Sequence, residues 1–248
     1  MPHRPHSLAP CLNRSIALLI VLGLWSVAAC AQDPLVTLPN NYSSAFDNSA
    51  VAVIRAHYGP HEKIAVHDHS SLPTVFVYLN DSGQVRIDHA EAGEKPTSVI
   101  RPPTIKGSFR VIAGQAERHS IENLGDTSSD FLRVELKQVS LGLKDPFRGR
   151  APQSLAQSQD SVEFTDPALQ IERIVCVGSP TCPIKSSPAP SLIIAFTPMC
   201  VTVAGSEKKE KLDAGAVRWL PSSEAAAITP DAASPAHILR ILLPTAPK

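Results

Sequence analysis

The sequence predicts an all-β protein that consists of two similar β modules in tandem. The chain of 248 residues contains 23 prolines and 12 glycines, and short runs rich in valine, isoleucine, leucine and phenylalanine recur between turn signals. This alternation of apolar runs and turns is typical of short β-strands. A chain of this length can form one large domain or two smaller ones, each with a substantial core.

The charge balance excludes a nucleic-acid binder of the ordinary electrostatic type. Lysine plus arginine and aspartate plus glutamate number 23 each, so the formal net charge is zero. A protein that binds phosphate backbones concentrates positive charge on one face or along one helix. No such concentration is evident in the sequence.

Residues 1–29 have the features of a secretory signal peptide. Arg4 and Arg14 precede an apolar run at 16–29, which is shorter than the roughly 20 residues that a membrane span needs. The run ends in the sequence Val-Ala-Ala-Cys, which resembles the lipobox of bacterial lipoproteins and would make Cys30 the lipidated residue. The alternative is cleavage at a small-x-small site around Cys30, which would release a soluble protein.

Both alternatives place the mature chain outside the cytoplasm. The lipoprotein would lie in the periplasm on the outer membrane, since Ala31 rather than aspartate follows Cys30. The soluble product would be secreted or periplasmic. In either case the sequence predicts contact with a membrane only through a lipid anchor.

The mature chain divides into four predicted segments. Residues 30–49 are a polar tether that leads into a first strand, 50–139 form the first module, 140–165 form a polar linker, and 166–248 form the second module. Strands are predicted in the first module at 50–56, 74–79, 84–89, 108–113 and 131–136. Strands of the second module are predicted at 169–177, 191–197, 200–204, 216–220 and 237–243.

Short segments of the two modules align with each other. Residues 73–79 match 190–196, 107–112 match 215–220, and the Leu-Arg pair at 132–133 recurs at 239–240, with offsets of 117, 108 and 107 residues. Similar offsets for three segments in the same order indicate a duplicated module with loop insertions and deletions.

Three cysteines follow Cys30. Because an exported chain enters an oxidising compartment, one disulfide among them is expected. Cys176 and Cys182 would close a short loop that contains a glycine and a proline, although Cys200 could be a partner instead.

Three histidines of the first module form a candidate metal site. His67 and His69 are separated by one residue, and alternate residues of a strand point to the same face. His119 follows fifty residues later, with Asn123 four residues beyond it. Three converging imidazoles can hold a divalent metal and leave positions open for water or substrate.

The residues around these histidines resemble the two motifs of the cupin family. The stretch PHEKIAVHDH at 60–69 is similar to the first motif, and GSFRVIAGQAERHSIEN at 107–123 is similar to the second. The resemblance covers 50–137, and it extends to 168–243 only through the internal repeat. It implies tandem double-stranded β-helix barrels of the jelly-roll type, that is, a bicupin.

The first motif departs from the family pattern, which has a glutamate three or four residues after the second histidine. Pro73 and Thr74 occupy those positions. The family includes three-histidine metalloenzymes without that glutamate, and it includes members that have lost the metal. Thr74 could hydrogen-bond a metal-bound water, His61 could be a surface turn residue or lie at the pocket rim, and Asn123 could fix the following loop by an Asx-type bond.

The second module lacks the motif residues. In the alignment His67 corresponds to Ile184, His69 to Ser186, His119 to Ala227 and Asn123 to Asp231. The sequence therefore predicts a degenerate second barrel that binds no metal and covers the exposed sheet of the first.

Two functions follow as hypotheses. The first is an exported metal-binding protein whose iron, manganese, zinc, copper or nickel ion supports dioxygenation or isomerisation of a small molecule. The second is a non-catalytic module with a vestigial site, which binds a small ligand or contacts a partner at the cell envelope, with an oligomer allowed in both cases. No acid–base group is evident beside the three histidines.

Overall fold

The computed structural model describes residues 33–90, 95–178, 181–231 and 234–244. The predicted signal peptide and the lipidation of Cys30 lie outside these residues. The described chain is almost entirely β-structure, as predicted, and its one short helix, α1, spans Pro34–Thr37. Within the described ranges, no helix has the length and hydropathy required to cross a membrane.

The first barrel consists of two antiparallel sheets. The strands of this half are β1 Tyr42–Asp47, β2 Val51–Tyr58, β3 Lys63–His69, β4 Thr74–Tyr78, β5 Val85–His89, β6 Thr97–Arg101, β7 Phe109–Ile112, β8 Glu117–Asn123, β9 Ser129–Leu136 and β10 Phe147–Gly149. One sheet has the order β1-β2-β9-β4-β7-β10, and the other has the order β3-β8-β5-β6.

The second barrel repeats this arrangement. Its strands are β11 Gln159–Asp166, β12 Leu169–Cys176, β13 Cys182–Ile184, β14 Ser191–Ala195, β15 Met199–Val203, β16 Lys209–Leu212, β17 Val217–Leu220, β18 Ala226–Pro230 and β19 Ala236–Leu242. The sheets have the orders β11-β12-β19-β14-β17 and β13-β18-β15-β16. Strand for strand these are the orders of the first barrel, apart from β10, so the predicted tandem double-stranded β-helix barrels are confirmed.

An apolar layer joins the two barrels. Alternate residues of the large sheet of the first barrel, such as Val75, Val77 and Leu132, pack with Leu192 and Ile194 of the second in one cluster from which water is excluded. The opposite faces of the same strands line the two barrel interiors. The second barrel therefore covers the sheet of the first, as the sequence predicted.

Two equivalent glycines allow close contact between the halves. Gly107 and Gly215 both have positive φ, at 87° and 81°. A Cβ at Gly107 would lie 2.9 Å from His237 Cε1, and one at Gly215 would lie 2.9 Å from an Arg55 nitrogen. Arg55 donates to the Gly215 carbonyl at 2.6 Å. Glycine is needed at both positions by backbone conformation and by space.

Two predicted segment boundaries differ from the structure. The segment 140–165, predicted as a linker, carries β10 and most of β11. Phe147 and Phe164 pack against each other with ring centroids 4.9 Å apart, and this contact draws both strands onto the barrels. In the predicted tether at 30–49, β1 joins the first sheet and buries Tyr42.

A disulfide links Cys176 and Cys182, and Cys200 is a free, half-buried thiol. The bonded pair joins the end of β12 to β13 and so ties together the two sheets of the second barrel. Of the two pairings that the sequence left open, the structure contains the one that closes the short loop.

Asn123 fixes the turn between β8 and β9. Its side-chain amide donates to the carbonyls of Tyr58, Gly59 and Thr127, and its oxygen accepts from the Gly125 amide in an Asx-type bond. Because Asn123 is fully buried, its replacement by alanine leaves carbonyls without donors. We expect Asn123→Ala to lower the free energy of unfolding by about 2–4 kcal/mol, measured by urea titration.

A matched control for this substitution is Gln138→Ala, which removes a single exposed bond to the Ser49 carbonyl. Its expected effect is below about 0.5 kcal/mol. Equal effects of the two substitutions would contradict the structural role assigned to Asn123.

The buried His237 of the second barrel should make the stability of the folded chain sensitive to acid. Burial, together with the neighbouring Arg173 and Lys106 cations, lowers the pKa of His237 to about 3. Between pH ~6.5 and 3 the unfolded chain therefore binds a proton at His237 and the folded chain does not. The free energy of unfolding falls as the pH drops through this range. At pH 5 this histidine should cost the wild type about 2 kcal/mol relative to pH 7.

Urea unfolding at both pH values, with His237→Gln in parallel, measures this contribution. The loss between pH 7 and pH 5 should be about 2 kcal/mol smaller in the variant, since glutamine does not titrate. An identical loss in both proteins would show that His237 is not the group that titrates.

Candidate metal centre

The structure brings His67, His69 and His119 together inside the first barrel. β3 pairs with β8 in antiparallel register, with His67 opposite His119 and His69 opposite Glu117. A register shift between Ile64 and His67 sets both β3 histidines on the inner face. The exposed fractions of the three residues are 0%, 9% and 6%, so the cluster is shielded from solvent.

The geometry of the cluster fits a divalent ion. One ligand nitrogen from each ring can be chosen so that all three lie within 4.8 Å of one another. Two nitrogens bound to one zinc-like ion at about 2.1 Å are at most about 4.2 Å apart. Small side-chain rotations would therefore be enough to bring the three nitrogens onto a common ion.

The hydrogen bonds of the cluster orient its rings. His67 Nδ1 lies 2.8 Å from the Ala65 carbonyl oxygen, which leaves Nε2 of the same ring to face the interior. That Nε2 lies 3.1 Å from His69 Nε2 and 2.8 Å from the Tyr42 hydroxyl. In contrast, both ring nitrogens of His119 are buried without a hydrogen-bond partner. A buried unpaired imidazole is costly, and a metal ion would provide a partner for one of its two nitrogens.

The environment keeps all three imidazoles in the neutral form that binds metals. Burial, together with the nearby His67 and His89, lowers the pKa of His119 to about 3. Burial is also the main cause that lowers the pKa of His67 and the pKa of His69. Protons therefore do not compete for these nitrogens near neutral pH.

Two tyrosines adjoin the histidines, and the sequence analysis did not find them. The Tyr42 hydroxyl is 2.8 Å from that of Tyr58, and both rings are buried. Burial raises the pKa of Tyr58 to about 12 and raises that of Tyr42 well above its usual value, so both remain protonated donors. Tyr42 belongs to β1, in the segment predicted as a tether, where no sequence signal marked it.

A cavity of about 60 Å³ adjoins the cluster. A water molecule needs about 10–15 Å³ by this measure, so the cavity has room for a few waters or a small molecule. Its walls are mainly aromatic and aliphatic, with three arginines and one carboxylate among them. They are formed by Tyr42, Tyr58, His69, Phe76, Tyr78, Val85, Ile87, Arg101, Arg110, Glu117, His119, Ile121, Phe131 and Arg133.

Glu117 is a carboxylate beside the histidines, where the sequence had shown no evident acid–base group. It lies two residues before His119 on the same face of β8 and opposite His69 on β3. Its Oε2 is 3.3 Å from Arg133 Nη1, and Arg133 Nε donates to Glu135 at 2.9 Å. The alternation of strand residues could have placed Glu117 in the interior once His119 was assigned there.

The three other residues predicted around the metal serve the fold. The buried Thr74 hydroxyl donates to the Leu72 carbonyl at 2.9 Å, so it caps a turn and is not directed at a metal-bound water. His61 is a surface turn residue, 64% exposed at its side chain and paired with Asp126, so of its two expected locations the structure has the turn and not the pocket rim. Asn123 holds the turn after β8, as described above, and does not line the cavity.

The interior of the second barrel is apolar. Of the positions aligned with the three histidines, Ile184 lies in this interior, whereas Ser186 is exposed and Ala227 is half-buried. Ile184, Ala226 and Ile228 pack with Met199 and Val201 in a buried cluster. Among the described residues, the only group of three or more histidine, cysteine or acidic side chains that could hold a metal is the one in the first barrel.

Comparison with known proteins is informative at the level of structure alone. No protein-family profile and no curated protein sequence matches the chain. Among solved structures, AerE from Microcystis aeruginosa superposes with a TM-score of 0.56 and 13% identity, over 82% of this chain and 97% of AerE.

Two enzymes are similar at the same level. Salicylate 1,2-dioxygenase from Pseudaminobacter salicylatoxidans has a TM-score of 0.52 and 12% identity, over 84% of this chain and 78% of the enzyme. Bacillus subtilis oxalate decarboxylase, described with Mn(II) centres, has a TM-score of 0.52 and 12% identity, over 79% of this chain and 69% of the enzyme. These structures have the cupin fold, and the present chain has the same fold in tandem, that is, the bicupin fold.

Proposed function

We propose that the chain is a divalent-metal enzyme that acts on a small molecule in the cavity of its first barrel. The observation that carries the proposal is the convergence of three buried, neutral histidines beside that cavity, with both nitrogens of His119 unpaired. The fold relatives named above include a dioxygenase and a manganese-containing decarboxylase, which supports metal chemistry on this scaffold.

The residues divide into ligands and cavity groups. His67, His69 and His119 would hold the ion, which supplies Lewis acidity or redox chemistry in open coordination positions. Glu117 lines the cavity opposite His69 and is the group placed to accept or return a proton. The aromatic walls restrict water and shape the space for substrate.

A non-catalytic role has one observation in its favour. His67 Nε2 already makes contacts with Tyr42 and His69, so part of the cluster is satisfied by the protein itself. In a site that has lost its metal, the former ligands would be expected to form such hydrogen bonds with neighbouring side chains. The unpaired nitrogens of His119 argue against complete closure.

Metal content tests the proposal. The full chain, purified without a histidine tag or chelators, should contain close to one equivalent of a divalent metal by plasma mass spectrometry. His119→Ala should reduce the content at least tenfold, because it removes one of three ligands.

The matched control is His61→Ala, which removes an exposed histidine and should leave the metal content unchanged. A parent protein that contains no metal, and that stays empty after Fe²⁺ and Mn²⁺ are offered without oxygen, would rule out the metalloenzyme.

We also propose that the mature chain is exported and lipidated at Cys30, on the basis of residues 1–30. The disulfide between Cys176 and Cys182 supports an oxidising compartment. Expression in a bacterium with radiolabelled palmitate should label the full chain but not a Cys30→Ser variant. Equal labelling of both, or of neither, would contradict lipidation at Cys30.

A further inference from the structure

We infer that the ligand of the first barrel is a small carboxylate, bound by the guanidinium groups of Arg101 and Arg110 in the cavity beside the histidine cluster. Its role as a substrate rests on the proposed function. Its binding does not, because the two arginines belong to the cavity wall whether or not a metal is present.

Arg101 presents a buried donor with no partner. The residue is 91% buried, at the end of β6, and its Nη2 donates to the Ser129 hydroxyl at 2.9 Å. Its Nη1 is buried and makes no hydrogen bond. The guanidinium carbon lies 5.3 Å from the centroid of the Tyr78 ring, which holds the group in place.

Arg110 is half-buried on β7, in the other sheet of the barrel, and it also has an unpaired donor. Its Nε is buried without a partner, and its guanidinium lies 5.6 Å from the centroid of Phe76. Arg148 of β10 stands directly opposite Arg110 in the register of the two strands. Like charges opposite each other are unfavourable in a sheet, so this pair adds to the demand for an anion.

The charges of the cavity do not balance without a ligand. Arg133 lies between two carboxylates, Glu117 and Glu135, so these three groups carry a net charge of −1, and Arg101 and Arg110 bring the total to +1. Neither Arg101 nor Arg110 forms an ion pair with any residue in the described ranges. A buried charge without a counter-ion is strongly unfavourable, and an anion that enters the cavity would remove that cost.

The shape of the site favours a carboxylate over other anions. A planar guanidinium matches a carboxylate with two parallel hydrogen bonds. The cavity of about 60 Å³ restricts the ligand to a few non-hydrogen atoms, and its aromatic walls suit a partly apolar body. A second pocket, which shares Tyr78, Arg101 and Arg110 with this cavity, is also lined by Arg148 and Arg150, and this positive charge would attract anions to the site.

Binding is tested on the full chain freed of metal with EDTA and dialysed, so that the result does not depend on the histidine cluster. The probes are acetate, oxalate and benzoate, with acetamide as the uncharged equivalent of acetate and inorganic phosphate as the competing anion class. Ionic strength is held constant with chloride. Titration calorimetry gives the Kd, and scanning calorimetry gives the midpoint of thermal unfolding, which rises with any ligand that binds the folded state.

At least one carboxylate should bind and raise the unfolding midpoint, whereas acetamide should not. Arg101→Gln and Arg110→Gln should each weaken binding by about tenfold or more, the value of one charge-assisted hydrogen bond. Arg110→Gln should not unfold at a lower temperature than the wild type without ligand, because it removes a charge that has no ion pair. Arg101→Gln also loses its bond to Ser129, so the rise caused by the ligand is measured from each variant's own midpoint without ligand. Arg110→Lys keeps the charge and should lose affinity because it lacks the planar donor pair.

The control is Arg86→Gln, on the outer face of β5, where the arginine is paired with Glu122. It should leave carboxylate binding unchanged. The inference is overturned if no carboxylate binds, if phosphate alone binds, or if the Arg101 and Arg110 variants bind as tightly as the wild type. Carboxylate binding by a protein that never takes up metal would reject the proposed enzyme and leave this site in place.

Discussion

The apolar layer between the two large sheets is the constraint on which the rest of the structure depends. Each strand of these sheets alternates, so one set of side chains fills the layer and the other set faces a barrel interior. Val75 and Val77 have no exposed surface, and neither do Leu192 and Ile194 on the other side. Burial of each aliphatic side chain of this kind contributes about 1.5–3 kcal/mol to the free energy of unfolding. This layer lies outside both barrel interiors, so its contribution to stability does not depend on which side chains fill them.

Because the layer between the sheets does not depend on the interiors, the same strand order can surround two different sets of interior side chains. In the second barrel the inner positions are aliphatic, and the buried Arg240 is satisfied by Ser191 and Glu172. In the first barrel the inner positions hold histidines, tyrosines and arginines, several with unpaired atoms. Unpaired buried polar groups are unfavourable, and they concentrate where a protein binds something. The packing of the second barrel against the first offsets the unfavourable free energy of the unpaired polar groups in the first barrel.

The sequence was sufficient to predict the fold class, the repeat and the three histidines, because each leaves a local pattern. Apolar runs between turns mark strands, and a spacing of two residues puts His67 and His69 on one face. Arg101 could not be found in this way, because it ends a strand whose other residues are exposed and enters the interior only through pairing with β5. Tyr42 and β10 depend on contacts made far along the chain, which no local pattern records.

The segment that connects the barrels, which contains β10, contributes to the first barrel and contacts the second. β10 extends the sheet of the first barrel and sets Arg148 beside Arg110, yet it lies after the end of the repeated module in the chain. Phe147 of the same strand packs against Phe164 of the second barrel. A gene fragment cut at the boundary of the duplication would therefore encode the histidines without part of the surrounding charge.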